Sequence, residues 1–220
     1  MRWLAANWQQ MIPLAGDHVA LAIPAILVSI VIAIPLGRLA QRHGWVGRPL
    51  LGLATLMYAV PALPMLIVIP AILGFPLRSP ATMITALSVY GVALLVRTAA
   101  DGFASVDVGV HDAAVAVGHS RRSVFFRVDL PLALPVIFAG IRVVVVSTVG
   151  LVTIGALLGQ SSLGTLLTDG FQRGIAAEVI AGVVLTIAVA VALDGLVQLT
   201  ARAVTPWTRA AVSGRAGATS

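Results

Sequence analysis

The sequence predicts an all-α, polytopic membrane protein that crosses the bilayer about five times. Of its 220 residues, 59% are hydrophobic and only 10% are charged, and the mean hydropathy is +1.03. Soluble domains carry about 25% charged residues. Apolar stretches long enough for spans of ~20 residues alternate with shorter polar segments. Because a helix satisfies its own backbone polar groups within hydrocarbon, we expect each apolar stretch to be a transmembrane helix.

The first two spans are expected in the first third of the chain. Residues 1–18 are mixed in character and lack the basic run of a signal peptide, so we expect a periplasmic N-terminal segment. The first span is expected over 19–37. The second span, over 49–73, contains three prolines after residue 60. Because proline removes a backbone donor, this span should be kinked or partly unwound, and two short re-entrant pieces are the alternative.

Three further spans follow, separated by two polar segments. These spans are expected over 81–96, 135–158 and 181–199. Residues 97–134 form a polar segment, and 159–174 form a turn rich in glycine and small polar residues. Residues 19–206 are therefore expected to form one transmembrane domain, and 207–220 are expected to be a disordered cytoplasmic tail.

Arginine placement predicts the orientation of the spans. The net charge is +6, and all 14 basic residues are arginine. If the polar segment is cytoplasmic, only Arg2, Arg78 and Arg173 lie outside, which agrees with the positive-inside rule. The arginines expected inside are Arg38, Arg42, Arg48, Arg97, Arg121, Arg122, Arg127, Arg202, Arg209 and Arg215. The N-terminus is then outside and the C-terminus inside.

The polar segment contains signals for two short helices. Alanine and valine favour a first helix over 110–117, and Gly118 suits a helix stop. Ser120 is a good N-cap for a second helix, which we expect Leu130-Pro131 to end. That second helix has an apolar stripe at Val124, Phe125 and Val128. From the residues alone, a docking element for a soluble partner and an amphipathic surface helix without a partner are both open.

This segment resembles the cytoplasmic loop shared by permease subunits of bacterial ABC importers. Their pattern is Glu-Ala-Ala, three residues, Gly, about nine residues, a hydrophobic residue, one residue, and Leu-Pro. The residues that match are Asp112, Ala113, Ala114, Gly118, Val128, Leu130 and Pro131. The one departure in the first triplet is aspartate for glutamate, which keeps the charge and shortens its reach. The resemblance implies the type I importer permease (MetI-like) fold and docking of an ATPase at Asp112, Ala113, Ala114, Gly118, Leu130 and Pro131.

The resemblance extends over about residues 20–206 and is strongest to the osmoprotectant branch, which takes up glycine betaine, carnitine and choline. The stretches that carry it are YAVPALPMLIVIP, YGVALLVRT, AGIRVVVVSTVGLVTIGALLG and ALDGLVQLTAR. It implies a permease in the bacterial inner membrane, paired with itself or a sister permease and served by ABC ATPases and an extracytoplasmic substrate-binding protein. Methionine-type permeases share much of this pattern, so methionine or another small solute is the alternative substrate. The family's turn usually reads Gly-Ala-Gly-Gly-Leu-Gly, whereas residues 159–164 read GQSSLG.

Two opposite charges lie within predicted spans. Arg142 is about seven residues into the fourth span, and Asp194 lies in the matching half of the fifth. Because a charge inside hydrocarbon costs several kcal/mol, Arg142 should face protein or water or snorkel to the inner surface, and an intramembrane ion pair with Asp194 is the hypothesis. A proton-coupled secondary transporter using this pair is a further alternative. Tyr58, Tyr90 and Ser147 are candidates for the translocation path, although ordinary packing of these side chains is the competing interpretation.

Catalytic and nucleic-acid-binding motifs are missing from the sequence. The four histidines do not form a metal-ligand motif, there is no cysteine, and there is no Gly-x-x-x-x-Gly-Lys phosphate loop. We therefore expect no enzyme, no metal site and no cofactor in this chain, with ATP and Mg²⁺ held by the partner ATPase. The longest basic run is Arg121-Arg122, so a nucleic-acid partner is not expected, whereas membrane lipid is.

Overall fold

The computed structural model describes residues 2–76 and 78–207, and the described residues form helices and turns without a strand. The α-helices, in chain order, are α1 (Arg2–Arg42), α2 (Gly44–Ala59), α3 (Ala62–Leu73), α4 (Pro80–Ala104), α5 (Val108–Ala116), α6 (Arg121–Val124), α7 (Leu130–Val152), α8 (Gly164–Gln172) and α9 (Ala176–Val204). A π-helical segment, Phe125–Asp129, joins α6 to α7, and a 3₁₀ segment, Thr153–Leu158, extends α7.

Within the described part of the chain, four helical stretches are long and apolar enough to cross a membrane. They are Asn7–Arg42, Pro80–Ala104, Arg121–Leu158 and Ala176–Val204. The predicted second span is a bent pair, α2 and α3, whose axes differ by 116°. Val60 and Pro61, both extended, make the break. Five spans result if this pair counts as one, so a broken span and a re-entrant loop both fit this geometry.

The helices extend beyond the spans expected from hydropathy. Helix α1 includes nearly all of the predicted N-terminal segment, because 2–18 are rich in residues with good helix propensity even where they are polar. Helix α4 runs eight residues past the predicted end of the third span, into the polar segment. The predicted disordered tail lies outside the described residues except for Trp207. Hydropathy indicates where a helix enters hydrocarbon, whereas propensity and caps decide where it ends.

Small residues hold the centre of the bundle together. Helix α4 packs between α1 and α7, and α7 packs against α9. A Cβ atom built on Gly91 of α4 would lie only 2.2 Å from Ser29 Oγ of α1, so no larger residue fits there. Ser29 donates to the carbonyl of Ala25 in its own helix at 2.7 Å and to that of Ser88 in α4 at 3.2 Å. Close backbone approach through small residues is typical of membrane helices.

The expectation that Leu130-Pro131 ends a helix is wrong. The helix runs without a break from α6 through the π segment into α7. Within it, the Leu130 N–H donates to the carbonyl of Phe125, five residues back. In a regular α-helix a proline ring collides with the carbonyl four residues before it. The wider turn directly before Pro131 relieves that conflict. The polar segment is therefore joined to the fourth span by one unbroken helical rod.

Candidate functional site

The candidate docking helix is α5, which is capped at both ends. The Asp107 carboxylate accepts from the N–H groups of Gly109 and Val110 at 2.7 and 3.3 Å and so supplies the N-cap. After the helix, Gly118 has φ +90°, a left-handed conformation that favours glycine. Ser120 then accepts from the Ser123 N–H at 3.3 Å. The predicted helix stop at Gly118 and the predicted N-cap at Ser120 are confirmed.

Helix α5 presents its surface outward along its whole length, since none of its residues is buried. Asp112, Ala113 and Gly118 are exposed and Ala114 is half-buried, so four of the six predicted docking residues lie together at this helix and its terminal turn. Val108 and Val117 are 72% and 76% exposed. Leu130 and Pro131 lie apart from them, half-buried at the start of α7. The arrangement leaves a small, partly apolar helix available to a partner.

Beneath α5 lies a cluster of ionisable side chains that the sequence did not predict. Asp129, in the π segment, contacts Arg38 of α1 through one carboxylate oxygen and His111 of α5 through the other. The His111 Nδ1 to Asp129 Oδ1 distance is 2.9 Å. Asp129 follows Phe125 by four residues and so lies on the apolar side of this helix. An acid on an apolar stripe is the sequence signal that could have predicted this cluster.

The structure brings the predicted ion pair together. Arg142 of α7 donates through Nε to Asp194 Oδ1 at 2.7 Å and through Nη2 to Asp194 Oδ2 at 2.9 Å. Gln198, one turn further along α9, donates to Asp194 Oδ2 at 2.6 Å. A bidentate arginine–carboxylate contact fixes both groups in one plane. The Arg142 side chain is nevertheless 47% exposed, so this chain alone covers only part of the pair.

The three predicted path residues divide into two places. Tyr58 of α2 and Tyr90 of α4 lie together, with ring centroids 5.5 Å apart, and the Tyr90 hydroxyl lies 3.3 Å from the Tyr58 carbonyl oxygen. Ser147 instead lines a surface pocket with Arg142 and Asp194, between α7 and α9. The structure therefore groups Ser147 with the ion pair and places the two tyrosines on the α2–α4 side of the bundle.

The turn with the unusual sequence lies at the opposite end of the bundle from α5. Ser161 donates to the Asp17 carboxylate at 2.6 Å and so ties this turn to α1. Gly159 has φ +80°, and a Cβ atom on Gly164 would lie 2.0 Å from the Thr153 carbonyl oxygen. The short helix α8 follows, and its Phe171 is 82% exposed. The turn differs from the family's usual sequence, but it keeps Gly159 and Gly164, the two glycines that its backbone needs.

Sequence comparison identifies a family and a set of relatives. The family model described as binding-protein-dependent transport system inner membrane component matches residues 29–209. The osmoprotectant import permease protein OsmW of Salmonella typhimurium is 31% identical, over 94% of this chain and 97% of that protein. The choline transport system permease protein OpuBD of Bacillus subtilis is 28% identical, over 94% and 90%. The glycine betaine/carnitine/choline transport system permease protein OpuCD of the same organism is 29% identical, over 86% and 82%.

Structure comparison gives the same fold. A chain of the MetNI methionine ABC transporter, solved in inward-facing conformations, superposes with a TM-score of 0.78. The match covers 91% of this chain and 98% of that chain at 18% sequence identity. A second crystal form of that transporter matches with the same TM-score at 19% identity. The predicted type I importer permease fold is confirmed, and at this level of identity the likeness concerns the fold alone.

Proposed function

This chain belongs to the family of binding-protein-dependent transport system inner membrane components, and we propose that it carries compatible solutes such as glycine betaine, choline or carnitine into the cell. It is a multi-pass permease of the inner membrane, a transport component rather than an enzyme. Family membership implies an ABC ATPase and a substrate-binding protein as partners. The proposed substrate class is supported by the names of three relatives that match most of this chain.

The ATPase is proposed to dock on α5. The observation that carries this proposal is a helix of nine residues without one buried side chain, held at the end of the bundle by caps and by the contact beneath it. The small side chains of Ala113 and Ala114 allow a partner's groove to approach the backbone closely. Val108 and Val117 offer exposed apolar surface to such a groove. ATP and Mg²⁺ would be held by the ATPase, and this chain would bind no cofactor.

The proposed orientation puts α5 in the cytoplasm, the N-terminus outside and the C-terminus inside. The support is the bias of arginine toward the α5 end of the bundle, as the positive-inside rule requires. Ser161, Phe171 and the rest of the turn at the opposite end would then face the binding protein. Lipid would cover the exposed aliphatic side chains of α9, such as Val184 and Ile187.

A second permease subunit, identical or sister, is proposed to cover Arg142 and Asp194. A half-exposed charged pair at this depth of a span is costly against lipid, so the surface around it should face protein or water. Ser147 shares that surface pocket. We place the path for the solute along this surface, between two permease subunits. Tyr58 and Tyr90 would contribute from the α2–α4 side.

Uptake measurements test the substrate class. The complete transporter, purified through a tag on this chain and placed in liposomes, should accumulate radiolabelled choline, glycine betaine or carnitine when ATP is enclosed with its ATPase. Methionine serves as the control solute. Accumulation of methionine alone would contradict the proposed substrate, and uptake that persists without ATP would favour a secondary transporter.

Substitutions in α5 test the docking. Ala114→Asp and Gly118→Pro should abolish both co-purification of the ATPase and uptake, because a buried charge or a broken turn disrupts the contact. Ala114→Ser, which stays small and uncharged, is the matched control and should retain both. Membrane insertion should be unchanged in all three. If the ATPase co-purifies normally with Ala114→Asp, the docking surface lies elsewhere.

A further inference from the structure

Asp129 joins two helices that are far apart in the sequence. Its carboxylate contacts Arg38, 91 positions away in α1, and His111, 18 positions away in α5. The Asp129 side chain is only 2% exposed, whereas His111 is 38% exposed. Since an ionised carboxylate only accepts hydrogen bonds, the imidazole donates through Nδ1. We call Arg38, Asp129 and His111 the junction.

The arginine of the junction is held on several sides. Its guanidinium carbon lies 5.2 Å from the ring centroid of Phe103 in α4 and 5.8 Å from that of Phe125 in the π segment. Both distances are within the range of cation–π attraction. Its Nη1 also donates to Gln41 at 3.0 Å. Arg38 is therefore held by contacts with α1, α4 and the π segment together.

The packing of α5 makes the contact between His111 and Asp129 important. Its main packing partners are α6 and the π segment, and α5 buries none of its own residues. Helix α1, by contrast, packs extensively against α4 and also against α7. The carboxylate of Asp129 thus provides a direct polar connection between the exposed helix and the first span. Because separating a buried charge from its partner is strongly unfavourable, the two ends should move as one.

We propose that Asp129 is a positioning residue that transmits the movement of α5 to the first span through His111 and Arg38. This inference rests on the proposed docking of the ATPase at α5. In this mechanism the continuous helix from α6 to α7 moves the fourth span, and the junction moves the first span with it. Loss of the His111 contact then separates ATP hydrolysis from transport without removing the ATPase.

Three substitutions of histidine test the inference in the purified transporter. His111→Leu removes the contact at a partly exposed position. His111→Asn keeps the contact with Asp129, because the asparagine amide nitrogen can occupy the place of Nδ1 and donate to the carboxylate. His119→Leu is the matched control, since His119 lies in the same segment and its Nδ1 has a local partner, Ser123 Oγ at 2.7 Å. Each variant is assayed for co-purified ATPase, ATP hydrolysis and radiolabelled choline uptake.

The expected result is a change in the ratio of uptake to hydrolysis. His111→Leu should keep the ATPase and its hydrolysis, while choline uptake per ATP falls about tenfold, within the range by which residues in a coupling network act. His111→Asn and His119→Leu should keep the ratio of the unchanged protein. A purely structural role would instead lower yield and both activities together.

Two results would overturn the inference. An unchanged ratio in His111→Leu would show that the junction transmits nothing. Loss of the ATPase from His111→Leu, with retention in His119→Leu, would place His111 in the docking surface itself. Failure of the unchanged protein to hold any ATPase is a separate outcome, which would reject docking at α5 before the variants are compared.

Discussion

Two arginine–aspartate pairs among the residues that the structure describes have the same chemistry and differ in burial and in geometry. Arg38 and Asp129 lie near α5, with the aspartate side chain 2% exposed and the arginine against two aromatic rings. Arg142 and Asp194 lie within two spans in a bidentate contact, with the arginine 47% exposed. Both pairs join helices that are distant in the sequence, 91 and 52 positions apart.

The two pairs differ in what surrounds their charged groups. The first is enclosed by this chain, so its energy is a property of the folded subunit. Removing one partner would leave a buried charge without compensation, which is costly. The second is only partly covered, so its strength depends on whether lipid, water or another subunit lies against it. The first pair should therefore control the stability of the subunit, and the second should matter mainly in the assembled transporter.

The largest effect is expected from Arg38→Met, which breaks the enclosed pair. The substitution leaves the Asp129 carboxylate buried and reduces its partners to His111, so the free energy of unfolding should fall by about 3–5 kcal/mol. Thermal or denaturant unfolding of the detergent-solubilised subunit, followed by circular dichroism, measures this. Arg42→Met, one turn further along α1 at an exposed position, is the control and should change little. Equal stability of both variants would remove the proposed contrast between the pairs.

A smaller effect on stability is expected when both members of the enclosed pair are replaced. Arg38→Met combined with Asp129→Leu leaves no buried charge, and apolar replacements of buried pairs are often neutral. The double variant should therefore recover most of the stability lost in Arg38→Met, as measured by the same unfolding assay. Uptake should stay low because His111 has lost its partner. Recovery of uptake together with stability would mean that the junction only stabilises the fold.

The smallest effect on the isolated subunit is expected from charge reversal of the half-exposed pair. Arg142→Asp and Asp194→Arg should each lower uptake by the assembled transporter, because like charges then face each other across α7 and α9. The double variant should restore uptake, whereas stability of the isolated subunit should change less than in Arg38→Met. Radiolabelled uptake and unfolding measure the two properties. Loss of uptake in all three would indicate that each position has its own role beyond the pairing.

The sequence could predict one pair and not the other for a physical reason. Arg142 and Asp194 are conspicuous because their neighbours in the chain are apolar. Arg38 lies among arginines at the end of a span, where the positive-inside rule alone accounts for it. Asp129 lies on an apolar stripe within a polar segment, and that local signal does not identify Arg38 as its partner. Their burial arises from packing between helices far apart in the chain, which a local pattern does not contain.

Local turn chemistry was predictable, whereas the helical register was not. Gly118 and Ser120 act through their own backbone conformation and side chain, so their roles could be inferred from the residue type. The prediction that Leu130-Pro131 ends a helix is wrong because the turn before the proline is a π turn and not a regular α-helical one. A π turn forms only when the surrounding packing favours it, and the sequence alone did not reveal it.

The π turn constrains the length of the segment that joins α6 to α7. It places one extra residue in the rod between α6 and α7. Each residue of an α-helix turns the chain by about 100° and advances it by about 1.5 Å. The wide turn absorbs one such step, so deleting a single residue from 125–129 would restore regular α-helical geometry with Val124 in its present phase, and would bring the Pro131 ring against the carbonyl four residues before it. The extra residue therefore allows a proline to stand at the start of the fourth span within a continuous helix, so the length of this stretch must be kept.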